Sequence, residues 1–263
     1  MLSDSFIFDM VHTLPYASFK DASTGKYILA NHEIAGCWNL SPEQMVGLTV
    51  GDLGPGTSIA DLGLVKSRLR KAHAVQTQEM DRWVREQRSG TTTTRIVLRL
   101  DNENLTYESV AKLPILGKKN LLGIVTYGSN LTPGLSLRSL FFLYERMFPK
   151  KNAIERFLRH VGIDSYFFVA LTRSEVLVLI ERSHAKSNME IAAQHKVIVR
   201  TVETHMANVR LKLKGDVLPT VLAQLRGRNE VKVDDLIGIE SDRNDRMPSL
   251  PIDAKVRARK PDR

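Results

Sequence analysis

LTRSEVLVLIERSHAKSNMEIAAQHKVIVRTVETHMANVRLKLKGD, residues 171–216, decides the C-terminal half of the chain. Ser187 followed three residues later by Glu190 has the form of a capping box, in which the hydroxyl serves the third helical N–H and the carboxylate reaches back to the cap. It predicts a short helix ending at His195, a turn at Val197-Ile198, and a longer helix from Val199 to Lys214. In the longer helix Val202, Met206, Val209 and Leu213 step by four, three and four. That spacing buries them and turns Arg200, Glu203, Thr204, Ala207 and Arg210 outward. Two helices joined by a tight turn, with a polar and cationic outer face, suit the major groove of DNA, where each base pair presents its own donor and acceptor pattern. The plain alternative is an ordinary solvated amphipathic face.

Further C-terminal, DVLPTVLAQLR repeats apolar residues at Val217, Leu218, Val221, Leu222 and Leu225, with Pro219 tolerated in a first helical turn. Beyond Gly227 signs alternate with no apolar periodicity, so residues 228–263 are expected to be a mobile or loosely docked tail. On the N-terminal side, Leu137, Leu140, Phe141, Tyr144 and Phe148 form a broad stripe on one helix, and Ala153 to Val161 form another that ends at Gly162. The stripe either packs on a sheet of its own chain or serves as a helical connector or dimer seam.

The segment 171–216 resembles a LuxR-type helix-turn-helix. The matching positions are Leu171, Thr172, Glu175, Val176 and Leu177; then Ser187, Asn188, Glu190, Ile191 and Ala192; then Thr201, Val202, His205, Asn208, Lys212 and Leu213. The resemblance implies that base edges are read by Glu203, Thr204 and Ala207, while Thr201, His205, Asn208 and Lys212 position the phosphate backbone. Glu203 suits the cytosine N4 donor and Ala207 the thymine methyl. It also implies that the 217–227 helix is the one through which such domains commonly pair, giving a homodimer. The chain departs from the pattern at Ala185 for Gly, Ser174 for Arg, His195 for Leu and Ile198 for Ser or Thr. Ile198 has no hydroxyl with which to cap the long helix.

The first half reads differently. ASFK and KYILA, joined by DASTG, form a hairpin over 17–30. Ser41, Pro42 and Gln44 open a short helix at Pro42, and Ile59 to Arg88 is expected to be a long one. RIVLRL (95–100), YESVAKL (107–113) and LLGIVTY (121–127) then make a three-strand meander. This order is similar to a PAS sensor domain, with Asn31 directly after the second strand, Lys112 ahead of Pro114, and an exit reading Asn130-Leu131-Thr132. The expected fold class is therefore α+β: an N-terminal PAS-like domain (1–132) with an antiparallel sheet and flanking helices, a helical connector (133–166), an all-α four-helix domain (167–227) and the tail.

A PAS interior holds haem, flavin, a small metabolite or only side chains. The residues demand neither haem nor flavin, so no cofactor is expected. His73 is the histidine placed on the helix from which some PAS haem sensors take an axial ligand, and its plain reading is a solvated side chain among Lys66, Arg70 and Lys71. Cys37, the single cysteine, reads as core, and Trp38 and Trp83 as packing. One cysteine excludes an intrachain disulfide and any multi-cysteine metal site, and suits a reducing compartment. The N-terminus lacks an export signal and no stretch is apolar enough to span a membrane, so a cytoplasmic setting is expected.

The net charge is +9, of which +7 lies within residues 134–227, the part that carries the motif. No phosphate loop, HExxH, GxSxG, CxxC or receiver-type carboxylate cluster is present, which leaves an enzyme without a motif. The sequence therefore predicts a bacterial transcription regulator that binds double-stranded DNA and takes a small-molecule or protein signal at its PAS domain. Its rival is a protein-interaction adaptor whose helix-turn-helix no longer reads DNA.

Overall fold

The computed structural model describes residues 4–53, 64–99, 101–118 and 120–229. Helix α1 (Asp4–Thr13) leads into a hairpin of β1 (Ser18–Asp21) and β2 (Tyr27–Ala30). Short helices α2 (His32–Gly36) and α3 (Pro42–Met45) follow, then the long α4 (Leu64–Gln87) and the strands β3 (Thr91–Leu98), β4 (Leu105–Leu116) and β5 (Leu121–Asn130). The five strands form one antiparallel sheet in the order β2-β1-β5-β4-β3. Hairpin, helices and meander stand in the order the PAS resemblance implies. The expected start of the long helix, residues 59–63, lies outside the described residues, as does the tail beyond 229.

Local chemistry explains each junction. Asp21 Oδ1 accepts the N–H groups of Ser23 at 3.0 Å and Thr24 at 2.7 Å together with both hydroxyls, which holds its carboxyl down at about 2. Gly25 closes that turn at φ +70°, open to glycine without strain. Asn31 caps α2 through Ile34 N–H, accepts Ala17 N–H at 3.2 Å and donates to Leu14 O at 2.8 Å. One side chain thus pins the end of β2, the start of α2 and the entry to β1. The Ser41–Gln44 capping box opens α3 at Pro42 as expected. Strand β3 begins at Thr91, four residues before the expected 95, because four consecutive threonines extend the β-branched run. Helix α1 was not foreseen from the sequence; its Ile7 and Val11 cover Phe19, Ile115 and Val125 on the outer face of the sheet.

The C-terminal part consists of α5 (Leu137–Met147), α6 (Lys150–His160), α7 (Arg173–Ser183), α8 (Asn188–His195), α9 (Val199–Leu211) and α10 (Leu218–Asn229). The α10 helix runs two residues past the expected start of the tail at 228. The α5 stripe packs on the sheet of its own chain, the first of the two expectations, and on helices as well: Leu137, Leu140, Phe141, Tyr144 and Phe148 are all buried in one cluster with Leu98 and Leu105 of the sheet and with α6 to α10. Those five side chains are unavailable to a dimer seam. Helices α5 and α6 therefore share a core with α7 to α10.

Tyr144 stands at the centre of this cluster. Its hydroxyl accepts Leu105 N–H at 3.0 Å and meets His160 Nδ1 at 2.7 Å, and burial pushes the phenol up to about 12. Burial lowers His160 from 6.5 to about 4, so between those values the unfolded chain binds a proton that the folded one refuses. Stability should accordingly fall as pH drops from 6.5 towards 4. In urea titrations from pH 7 to 5, His160→Gln should show a flatter pH slope than wild type; an equal slope would remove His160 from this account.

Candidate nucleic-acid interface

Two capping boxes set the frame. Thr172 and Glu175 open α7, and Ser187 and Glu190 open α8, each pair exchanging both hydrogen bonds. Buried Glu175 accepts Thr172 N–H at 2.7 Å and Lys212 Nζ at 2.7 Å, and the same ammonium donates to Ala170 O at 3.1 Å. Its pKa is lowered, because these hydrogen bonds and the Lys212 charge outweigh the opposing effect of burial. Buried Glu181 gathers Arg138 Nη1 of α5 at 3.1 Å, Lys186 Nζ at 2.6 Å and Gln194 Nε2 of α8 at 3.0 Å. These two carboxylates fasten α7 to α9 and to α5 and α8.

Helix α9 packs Val202, Met206 and Val209 inward, with Leu213 just beyond its end, and leaves Arg200, Glu203, Thr204, Ala207 and Arg210 exposed. Thr201, His205, Asn208 and Lys212 are half-buried along its flanks. The helix ends at Leu211 instead of Lys214, because Lys214 N–H turns to Tyr166 O at 2.9 Å and Phe167 pairs with Leu213. On the outer face Arg200 and Glu203 lie 3.5 Å apart, an exposed pair worth little by itself. Thr204 donates its hydroxyl back to Arg200 O at 2.9 Å and keeps its acceptor capacity outward.

Ile198 is the N-cap of α9 without a side-chain hydrogen bond and is 70% exposed. Ala185, standing where LuxR-type sequences have Gly, holds φ +60°, and Lys196 ends α8 at φ 55°. Glycine would take either conformation more easily. Leu211, 73% exposed, continues the row of Arg200, Thr204 and Ala207, and its spacing of four from Ala207 is the one sequence signal that marks it. In α10 Leu218, Val221 and Leu225 are buried in the chain's own core.

The sensor-half candidates fall out differently. His73 is buried, not solvated: it stacks on Trp38 with centroids 4.9 Å apart, and burial together with Arg95, Lys112, Lys20 and Arg70 lowers its pKa well below 6.5. The helix carrying it faces the sheet on that side, which its charged neighbours in sequence concealed. Cys37 is buried, and burial pushes its thiol up to about 12. Trp38 packs as expected, whereas Trp83 is 42% exposed. Among the described residues no three His, Cys, Asp or Glu side chains are placed to hold a metal, and no helix is long and apolar enough to cross a membrane.

Comparison with known proteins gives this geometry a family. Residues 169–218 match the GerE family, described as bacterial regulatory proteins, luxR family. They are a LuxR-type helix-turn-helix domain. No curated protein matches the chain. Among solved structures, the VqmA–ligand–DNA complex of Vibrio cholerae is similar at 20% identity over 87% of this chain and 89% of that one, with a TM-score of 0.43. A phage VqmA–DPO complex is similar at 18% over 90% and 94%, TM-score 0.37. The PAS domain of Bordetella pertussis BvgS is similar at 18% over 54% and 96%, TM-score 0.39.

Within the LuxR-type domain, Lys212 holds α9 against the N-terminus of α7. Lys212→Ala would leave Glu175 buried beside one fewer donor, and should cost about 1–3 kcal/mol of stability. Urea or thermal unfolding checks this; an unchanged midpoint would leave Lys212 with solvent-side duties alone.

Proposed function

We propose that this protein is a bacterial DNA-binding transcription regulator in which α9 enters the major groove and the PAS-like half receives the signal. One observation carries the reading: in a LuxR-type domain packed against the rest of its own chain, the outer face of α9 is left uncovered. Glu203, Thr204 and Ala207 read base edges. Arg200 and Arg210 supply charge near phosphates, and Thr201, His205 and Asn208 set the register. Lys212 approaches the backbone only while bound to Glu175.

The functional unit is a cytoplasmic homodimer reading two half-sites about one helical turn apart. With Leu218, Val221 and Leu225 used internally, pairing through α10 falls to its other side, around half-buried Leu222 and exposed Ala223. Signal passes through α5 and α6. Tyr144 and the Arg156–Glu103 pair at 3.3 Å hold this helical pair to the β3–β4 turn region, while Arg138–Glu181 and Glu145–Arg173 at 2.6 Å hold it to α7. A ligand that favours one arrangement of the sheet edge thereby biases the placement of α9.

Selection from random duplexes tests the reading face. Wild type should enrich a motif, and Glu203→Ala should relax it at one position, with about 1–3 kcal/mol at stake for a good base contact. An adaptor would enrich nothing. Affinity for the best duplex should also fall steeply with salt, through release of counterions from the phosphates that the basic 134–227 segment neutralises. Binding indifferent to salt would contradict the charge argument.

A further inference from the structure

The end of α9 places its residue types in reverse. Lys212, a cation, swings inward to buried Glu175, and Leu213 packs in the core. Leu211, the last residue of the helix, stays outside: it is 73% exposed and belongs to none of the apolar clusters of the described residues. A single exposed leucine is ordinary on a protein surface, but this one has a particular place. At 3.6 residues per turn it falls on the line of Arg200, Thr204 and Ala207, the face that the fold leaves uncovered.

Reach permits a contact with bases. From Glu203 to Leu211 the helix rises about 12 Å, which is about the width of the major groove, so the whole row fits inside it. Chemistry then narrows what Leu211 can meet there. Its side chain neither donates nor accepts, and the one apolar group that base pairs display in the major groove is the thymine C5 methyl. The guanine and adenine edges and the cytosine amino group present N and O atoms, whose water a leucine would strip without replacing the hydrogen bond.

We propose that Leu211 is a further specificity-determining residue, which reads a thymine methyl one turn of α9 beyond the base pair met by Ala207. The inference rests on the reading of α9 as the recognition helix and names part of its target. Ala207 and Leu211 are about 6 Å apart along the helix, and successive base pairs about 3.4 Å apart along the duplex. The two side chains therefore call for two A·T pairs no more than about two steps apart in each half-site. Arg210 and Lys214, exposed on either side of Leu211 in the chain, add attraction to phosphates without choosing bases.

The experiment takes the full chain and the duplex it enriches from a random pool. Each thymine is replaced in turn by deoxyuridine, which removes the C5 methyl and leaves every pairing atom in place, and Kd is measured for wild type and Leu211→Ala on the whole set. Wild type should lose about fourfold per half-site at the thymine that faces Leu211, the factor equivalent to about 0.8 kcal/mol for one buried methyl. Leu211→Ala should lose that sensitivity and keep the one at the neighbouring thymine that faces Ala207. The ratio of deoxyuridine to thymine affinity cancels any general loss of binding or stability in the variant. Equal ratios in both proteins at every thymine, or an enriched motif without a thymine, overturn the proposal and leave the DNA reading standing. A chain that enriches no motif overturns the reading of α9 itself, and this inference with it.

Discussion

Tyr144 is fully buried where the start of β4, helix α5 and the end of α6 converge, and its hydroxyl joins all three. Leu105 N–H would otherwise be a buried donor without a partner, a defect worth a full desolvation penalty. The ring packs near Phe148, Phe157 and His160. The same helix turn thus settles a polar requirement of the sheet and fills the core of the helical half. Helices α5 and α6 both meet α7, and α10 packs on α7 and α5, so the contact ties the sheet to the core of the helical half.

From that base the LuxR-type domain is assembled by carboxylates. Glu175 and Glu181 lie deep at the two ends of α7, and each binds donors from elements distant in sequence. A buried carboxylate is tolerable only when its oxygens are satisfied, so these contacts are strict about geometry. They hold α9 with its apolar side inward. The outer side is left to Arg200, Glu203, Thr204 and Ala207, none of which the fold itself requires. Residues free of folding duties can be chosen for recognition.

The PAS-like half solves a different problem. Its sheet presents Lys20, Arg95, Glu108 and Lys112 to α4, which answers with Thr77 and Asp81. Such a core is less tolerant than an apolar one, since removing either member of a pair strands the other.

By itself the sequence determined the periodic and capped elements: the hairpin turned at Asp21, the boxes at Ser41 and Ser187, the step of Val202, Met206 and Val209, and hence the outward face of α9. These are local, because a cap or a 3.6-residue stripe needs only its near neighbours. Tertiary structure alone decided which charged side chains are interior. Lys212 reads as an end-of-helix cation, and only the fold brings Glu175, 37 residues away, beside it. His73 reads as solvated until Trp38 covers it, and the α5 stripe reads equally as a sheet-packing face or a seam until the sheet, α6, α7 and α10 close over it. In each case the deciding partner is remote in the chain, and no periodicity records it.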